Sequence, residues 1–136
     1  MNNLYSYQII DINLNRITGS LRLLEDYFRI SKNKNSALRL KEIRHCINNL
    51  FDYQKMIKSR NTDKDCGKFF NTEKEISHKS LNSILISNFR RVDESMRVLE
   101  EVSKSIEDYG EKVLEIKKFR FEVYEIEKKS MEEKNV

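Results

Sequence analysis

Proline is missing from this 136-residue chain, and it has only three glycines. A β-rich fold needs turns and breakers, so this composition argues against one and for long helices. Histidine is equally scarce, and neither His45 nor His78 has metal-ligand spacing. The two cysteines, Cys46 and Cys66, form no CxxC pair. They cannot staple a fold of this size by themselves and read as reduced thiols of a cytoplasmic protein. No run approaches the roughly 20 apolar residues of a membrane span, and the N-terminus has no basic stretch followed by an apolar one. The expectation is a soluble, cytoplasmic protein with no membrane partner. A GxxxxGK(S/T) loop is absent, and Gly19, Gly67 and Gly110 are too scattered to cradle a phosphate. No Ser/His/Asp arrangement stands out.

Charge, by contrast, is plentiful and nearly balanced. Charged residues make up 35% of the chain, 26 basic against 22 acidic, for a net charge of +4. Acidic residues interleave with basic ones along every helical segment, which argues against the basic face that nucleic acid requires. The length suits one helical domain over residues 1–136 with a single core.

Apolar residues fall at 10, 14, 17, 21, 24 and 28, then at 40, 43, 47, 50 and 57, at 85, 89, 92, 96 and 99, and at 116, 119, 123 and 126. Steps alternating between three and four predict helices over about 5–31, 34–58, 73–107 and 109–132. Their average of about 3.5 favours shallow packing angles, which is bundle geometry. The aromatics Phe28, Phe51, Phe119 and Tyr124 share this spacing and read as core. Short breaks at Ser31–Asn35 and Tyr109–Gly110 predict two antiparallel hairpins, joined by a long loop over 59–72.

The two hairpins are copies of one another. NLNRITGSLRLLED at 13–26 aligns without a gap with NFRRVDESMRVLEE at 88–101, at an offset of 75. Asn13/Asn88, Arg16/Arg91, Ser20/Ser95, Arg22/Arg97, Leu24/Leu99 and Glu25/Glu100 are identical. LKEIRHCI at 40–47 matches IKKFRFEV at 116–123 at an offset of 76, pairing Arg44 with Arg120. The fold class expected is all-α, an antiparallel four-helix bundle of two repeated hairpins, about 7–58 and 73–132.

A bundle that only had to pack would not place polar residues beside its stripes. At ~100° per residue, Asn13 borders the first stripe, with Arg16 just outside it and Glu25 on the opposite border. Arg44 flanks the second stripe and Arg120 the fourth. A partly buried arginine needs an anion. Glu25 and Glu100 can supply it as structural ion pairs, and so can a ligand phosphate gripped in bidentate fashion. Spacing alone puts the ion pairs first and leaves both readings open. Arg22 and Arg97 read as surface partners of Asp26 and Glu101. The loop segment RNTDKDCG at 60–67 is either a well-formed surface turn or a lid, with Asp65 a hard oxygen ligand for Mg²⁺.

In order along the chain stand D-x-N-x-N-R at 11–16, L-R-x-L-E-D at 21–26, K-x-x-R-H at 41–45, R-x-T-x-x-D-x-G at 60–67, N-x-x-R at 88–91 and R-x-x-x-Y at 120–124. The ordered set resembles a bacterial hydroxymethylpyrimidine-phosphate kinase-like domain of thiamine biosynthesis, usually fused ahead of thiamine-phosphate synthase. It covers roughly residues 7–127. The resemblance implies phosphorylation of hydroxymethylpyrimidine phosphate to the diphosphate, with ATP as co-substrate, Mg²⁺ as cofactor and no P-loop. It further implies that Arg16, Arg44, Arg60, Arg91 and Arg120 contact phosphate, and that Asn13 and Asn88 orient the ligand. Asp65 and Glu100 would then be the catalytic, metal-holding carboxylates. The chain departs from the family where Gly19-Ser20 replaces a Glu-Gly pair and where Ile12 and Ile17 replace small residues. It also ends in the polar tail KKSMEEKNV with no synthase part following, as a stand-alone form or a piece of a longer protein would. The alternative expectation is a non-catalytic bundle that docks on thiamine-phosphate synthase or forms a homodimer.

Overall fold

Apolar residues spaced three and four apart can be buried together only on a helix, and the chain coils accordingly. The computed structural model describes residues 3–69 and 77–134. Among them every regular element is helical: α1 (Leu4–Ile30), α2 (Lys34–Asn49), α3 (Tyr53–Ser59), α4 (Leu81–Ser103) and α5 (Gly110–Lys134), with a 3-10 turn at Cys66–Phe69. The bundle is all-α, as expected.

Helices α1 and α4 run antiparallel through the middle. Ser6 and Ser105 share a 2.7 Å hydrogen bond towards one end, and Phe28 meets Phe89 edge-on towards the other, 6.3 Å between ring centres. α2 folds back on α1 and α5 on α4, while α2 and α5 touch only lightly, where Arg39 pairs with Glu122. The stripe residues Ile10, Ile17, Leu21, Leu24, Leu40, Ile43, Ile47, Val92, Met96, Leu99 and Ile116 are all completely enclosed. Full burial of such a side chain is worth about 1.5–3 kcal/mol. Tyr124 departs from expectation. It lies about 100° around the helix from the buried Val123 and is 57% exposed.

The two hairpin turns share one device. Lys32 (φ 64°) and Asp108 (φ 72°) both take the left-handed conformation that reverses a chain after a helix. Asn33 then caps α2, its Oδ1 accepting from the backbone N–H of Ser36 at 3.2 Å.

Two expected helices are corrected. The segment over 34–58 is broken at Leu50–Asp52, because Asp52 supplies α3 with its own cap, Oδ1 accepting from the Gln54 N–H at 2.9 Å. Phe51 turns inward against Tyr109, and Lys112 Nζ donates to the freed carbonyl of Leu50. This break lets α3 lie against α1 and aims the loop after it at that helix. The helix expected over 73–107 starts at Leu81, capped by Ser80, and stops at Ser103. Ser105 Oγ bonds the Val102 carbonyl at 2.6 Å past its end. The parts of the expected helix and loop at 70–76 lie outside the described residues.

Gly19 stands mid-way along α1, with nothing within 4 Å of where a Cβ would sit. A glycine inside a helix costs about 0.5–1 kcal/mol relative to alanine. Gly19→Ala should therefore stabilise the fold by about that much, seen as a raised urea midpoint with unchanged slope. A lowered midpoint would mean that α1 depends on glycine there.

Candidate functional site

The four repeat-related arginines separate into two kinds. Arg44 Nε and Nη2 donate to the two carboxylate oxygens of Glu25 at 2.7 and 3.0 Å. Arg120 does the same to Glu100, at 2.9 and 3.4 Å. These are fork-to-fork pairs, and all four side chains are nearly enclosed. The bonds from Glu25 hold the Arg44 guanidinium above its ordinary pKa. Burial thus gives both arginines a protein anion.

Arg16 and Arg91 are different: both are exposed, and among the described residues neither has an ion-pair partner. They line one cleft between α1 and α4, about 370 Å³ in volume, together with Asn13, Ser87, Glu94 and Ser95. Antiparallel packing explains the meeting. Residues 75 apart lie at equal distances on either side of a midpoint near Gly19 and Glu94, so the repeated arginines face each other across it. Asn13 is buried, its Nδ2 donating to the Ile9 carbonyl at 2.8 Å, while its Oδ1 has no protein partner. Asn88 repeats the first bond, to Ile84 at 2.7 Å. Its Oδ1 accepts from Arg91 Nη1 at 3.3 Å and so orients that guanidinium.

A second cleft, about 640 Å³, lies where the loop after α3 crosses the N-terminal half of α1. Arg60 anchors the crossing. Its Nε and Nη2 donate to Asp11 Oδ2 and Oδ1 at 2.6 and 2.9 Å, and these bonds raise its pKa. Gln8 Nε2 adds a 2.7 Å bond to the Ser59 carbonyl. Asn15, Thr62 and Asp65 line the same space. Asp65 Oδ1 accepts from the Gly67 N–H at 2.8 Å, closing a turn, and a Cβ at Gly67 would stand 3.0 Å from that oxygen. A side chain there would make that carboxylate give way by a few tenths of an ångström.

The structure thus brings together Asn13, Arg16 and Arg91 in one cleft and Arg60 and Asp65 in another. Arg44, Glu100 and Arg120 stay inside the hairpins. Glu100 has both oxygens on Arg120. Among the described residues no three His, Cys, Asp or Glu side chains gather into a metal site. Asp65 retains Oδ2, and Glu94 lies exposed on the first cleft. Sequence reasoning passed over Asp11, Asn15, Thr62 and Glu94 as site residues, although the ordered motif contains the first three. Arg97, expected to pair with Glu101, pairs with Asp93 one turn back, at 3.1 Å.

The sequence profile of the ThiD2 family matches residues 8–129, nearly the whole chain and both clefts. The chain belongs to the ThiD2 family. Among its relatives are the thiamine-phosphate synthases of Prochlorococcus marinus (strain AS9601), 34% identical over 124 residues, and of Nostoc punctiforme, 33% identical over 126. The alignments take in 89% and 92% of this chain but 34% and 35% of those proteins. The chain therefore spans about a third of the length of these relatives. No solved structure matches it. Among the described residues, no helix is long and apolar enough to cross a membrane. Its ThiD2 membership places the chain among domains of thiamine biosynthesis.

The ion-pair geometry carries its own test. Glu100→Ala would leave the Arg120 guanidinium buried with only Asp93, 3.7 Å away, at an expected loss of about 3 kcal/mol. Chemical denaturation should show that loss, whereas Glu94→Ala on the open cleft should change stability by under about 0.5 kcal/mol.

Proposed function

We propose that this ThiD2 domain transfers a phosphoryl group to hydroxymethylpyrimidine phosphate, with ATP as donor, to give the diphosphate used in thiamine biosynthesis. The observation that carries the reading is the cleft between α1 and α4. Two guanidinium groups with no ion-pair partner among the described residues meet there, one of them oriented by Asn88. Phosphoryl transfer asks a protein chiefly to position its reactants and to neutralise charge. Arg16 and Arg91 grip phosphate oxygens from opposite sides, Asn88 steadies Arg91, and Asn13 orients the polar edge of the ligand. Arg60, fixed by Asp11, and Asp65 border the second cleft, which takes the remainder of the reactants. Arg44 and Arg120 act from behind, stiffening the hairpins on which these groups stand. Magnesium suits the site, because it needs only one or two carboxylates besides substrate phosphates. Glu94 and the free oxygen of Asp65 are the groups that would hold it. When bound, it supplies further charge neutralisation on the transferring group.

A second reading has one observation in its favour. Leu114, Phe121 and Tyr124, at 68%, 56% and 57% exposure, stand along one outer side of α5. Three large apolar side chains in such a row suit a non-catalytic bundle that docks on thiamine-phosphate synthase or pairs with a second copy. Copurification with the synthase that survives Arg16→Ala and fails in Phe121→Ser would favour it.

The kinase reading is tested with purified protein, Mg²⁺-ATP and hydroxymethylpyrimidine phosphate, following ADP and the diphosphate. Turnover is expected, with kcat/KM lowered about 100-fold or more in Arg16→Ala and in Arg91→Ala. Both residues are exposed, so thermal stability should hardly move. Absence of ADP formation, or equal turnover in all three proteins, would overturn the reading.

A further inference from the structure

The mouth of the first hairpin holds another cleft, about 420 Å³, between the C-terminal half of α1 and the start of α2. Arg22 and Arg29 from α1, Lys32 from the turn, and Lys34, Lys41 and Arg44 from α2 line it. Only Glu25 and Asp26 oppose them. Six positive groups against two negative give a formal excess of four, equal to the net charge of the entire chain. The remainder of the protein therefore sums to zero formal charge.

Both carboxylates are already engaged. Glu25 accepts from Arg44, and Asp26 lies 4.0 Å from Arg29. Among the described residues, Arg22, Lys32, Lys34 and Lys41 have no carboxylate within ion-pair distance. Like charges gathered around one concavity oppose folding, so they persist for a reason other than the fold.

The second hairpin acts as an internal control. It has the same turn, and the Glu100–Arg120 pair stands where Glu25–Arg44 stands in the first. Yet Asp108 takes the left-handed position of Lys32, and Gly110 replaces Lys34. Around that tip Lys104 pairs with Glu101 at 2.7 Å and Lys112 reaches the Leu50 carbonyl, so the cations there are already engaged.

The arrangement also suggests the ligand's size. Arg22 and Arg29, and likewise Lys34 and Lys41, are seven residues apart, about 10 Å along their helices. The cations line both walls over a length greater than one phosphate group can touch. We infer that this cleft binds a ligand carrying two or more linked phosphates. Lysines supply mobile point charges, and Arg44, held by Glu25, supplies a fixed planar donor. The site is independent of the kinase reading, because Arg16 and Arg91 take no part in it. An acidic protein segment is a poorer fit. Single carboxylates spaced along a chain would meet the cations one at a time, whereas linked phosphates offer each guanidinium and ammonium several oxygens.

Calorimetric titration of the full chain with sodium tripolyphosphate in 150 mM NaCl tests the site. Saturable binding is expected, with a component at this cleft weakened about tenfold or more in Lys32→Asp/Lys34→Gln. Aspartate already occupies the equivalent left-handed position at Asp108, so the double variant should fold, and circular dichroism checks it. Lys41→Gln, on the exposed face of α2, provides a second and milder charge variant. Arg16→Ala/Arg91→Ala removes any phosphate binding at the cleft between α1 and α4 and should leave the Lys32- and Lys34-dependent binding in place. No saturable heat, binding unmoved by either lysine variant, or binding lost in the Arg16/Arg91 variant would each overturn the assignment. So would salt-sensitive self-association in sedimentation that depends on Lys32 and Lys34 in a protein that does not bind tripolyphosphate.

Discussion

A guanidinium withdrawn from water must meet an anion, and the rest of this molecule is arranged around that requirement. Each hairpin meets it internally, with one arginine and one glutamate locked together beside the apolar stripe. The lock fixes the register of α2 on α1 and of α5 on α4. It also decides which charges remain available. Arg44 and Arg120 are occupied; Arg16 and Arg91, outside the stripe by about one residue's rotation, are not. What a ligand finds on the surface is set by what the interior has already satisfied.

The antiparallel packing of α1 and α4 does the rest. Because these helices carry the same motif, crossing them head to tail brings both copies of its arginine, Arg16 and Arg91, to the same cleft. Neither hairpin alone would assemble that group. The break at Leu50–Asp52 has a comparable effect elsewhere, since it swings α3 and the loop behind it across α1. Arg60 then reaches Asp11, and the motif residues of the loop gather over the motif residues of the helix. Domains of this kind occupy about a third of relatives named thiamine-phosphate synthases. A compact phosphate-handling unit beside a synthase is the relationship that the proposed reaction would need.

Much of this was legible in the sequence. The three-and-four spacing identified the core stripes of α1 and α4 residue by residue, because burial on a helix leaves little choice of period. The repeat located the four arginines and both glutamates. What it could not decide was which arginines would pair. The answer depends on where hairpin partners lie in space, and Glu25 and Arg44 are 19 residues apart. Boundaries failed where side-chain caps intervene: Asp52 restarts a helix that its apolar pattern would continue, and Ser80 starts one late. Tyr124 was misread because an aromatic at helical spacing belongs as readily to an outer face as to an inner one. The second cleft went unassembled because contact between a helix and a distant loop leaves no periodic trace.

The two halves share a sequence motif but differ in chemistry. Gly19 and Glu94 occupy equivalent positions beside the crossing, one with no side chain and one with a carboxylate. A mid-helix glycine weakens α1, and no neighbouring atom requires it, so the asymmetry is not a demand of packing. Its effect is to leave the cleft with two arginines and a single carboxylate, hence net positive, where a glutamate at both positions would have neutralised it. A cleft of that sign suits a ligand with several negative charges better than a symmetric one would. The same division recurs at the hairpin tips, where Lys32 and Asp108 share a conformation and differ in sign. Duplication provided the scaffold twice, and substitutions at positions the core does not use have made the copies electrostatically different.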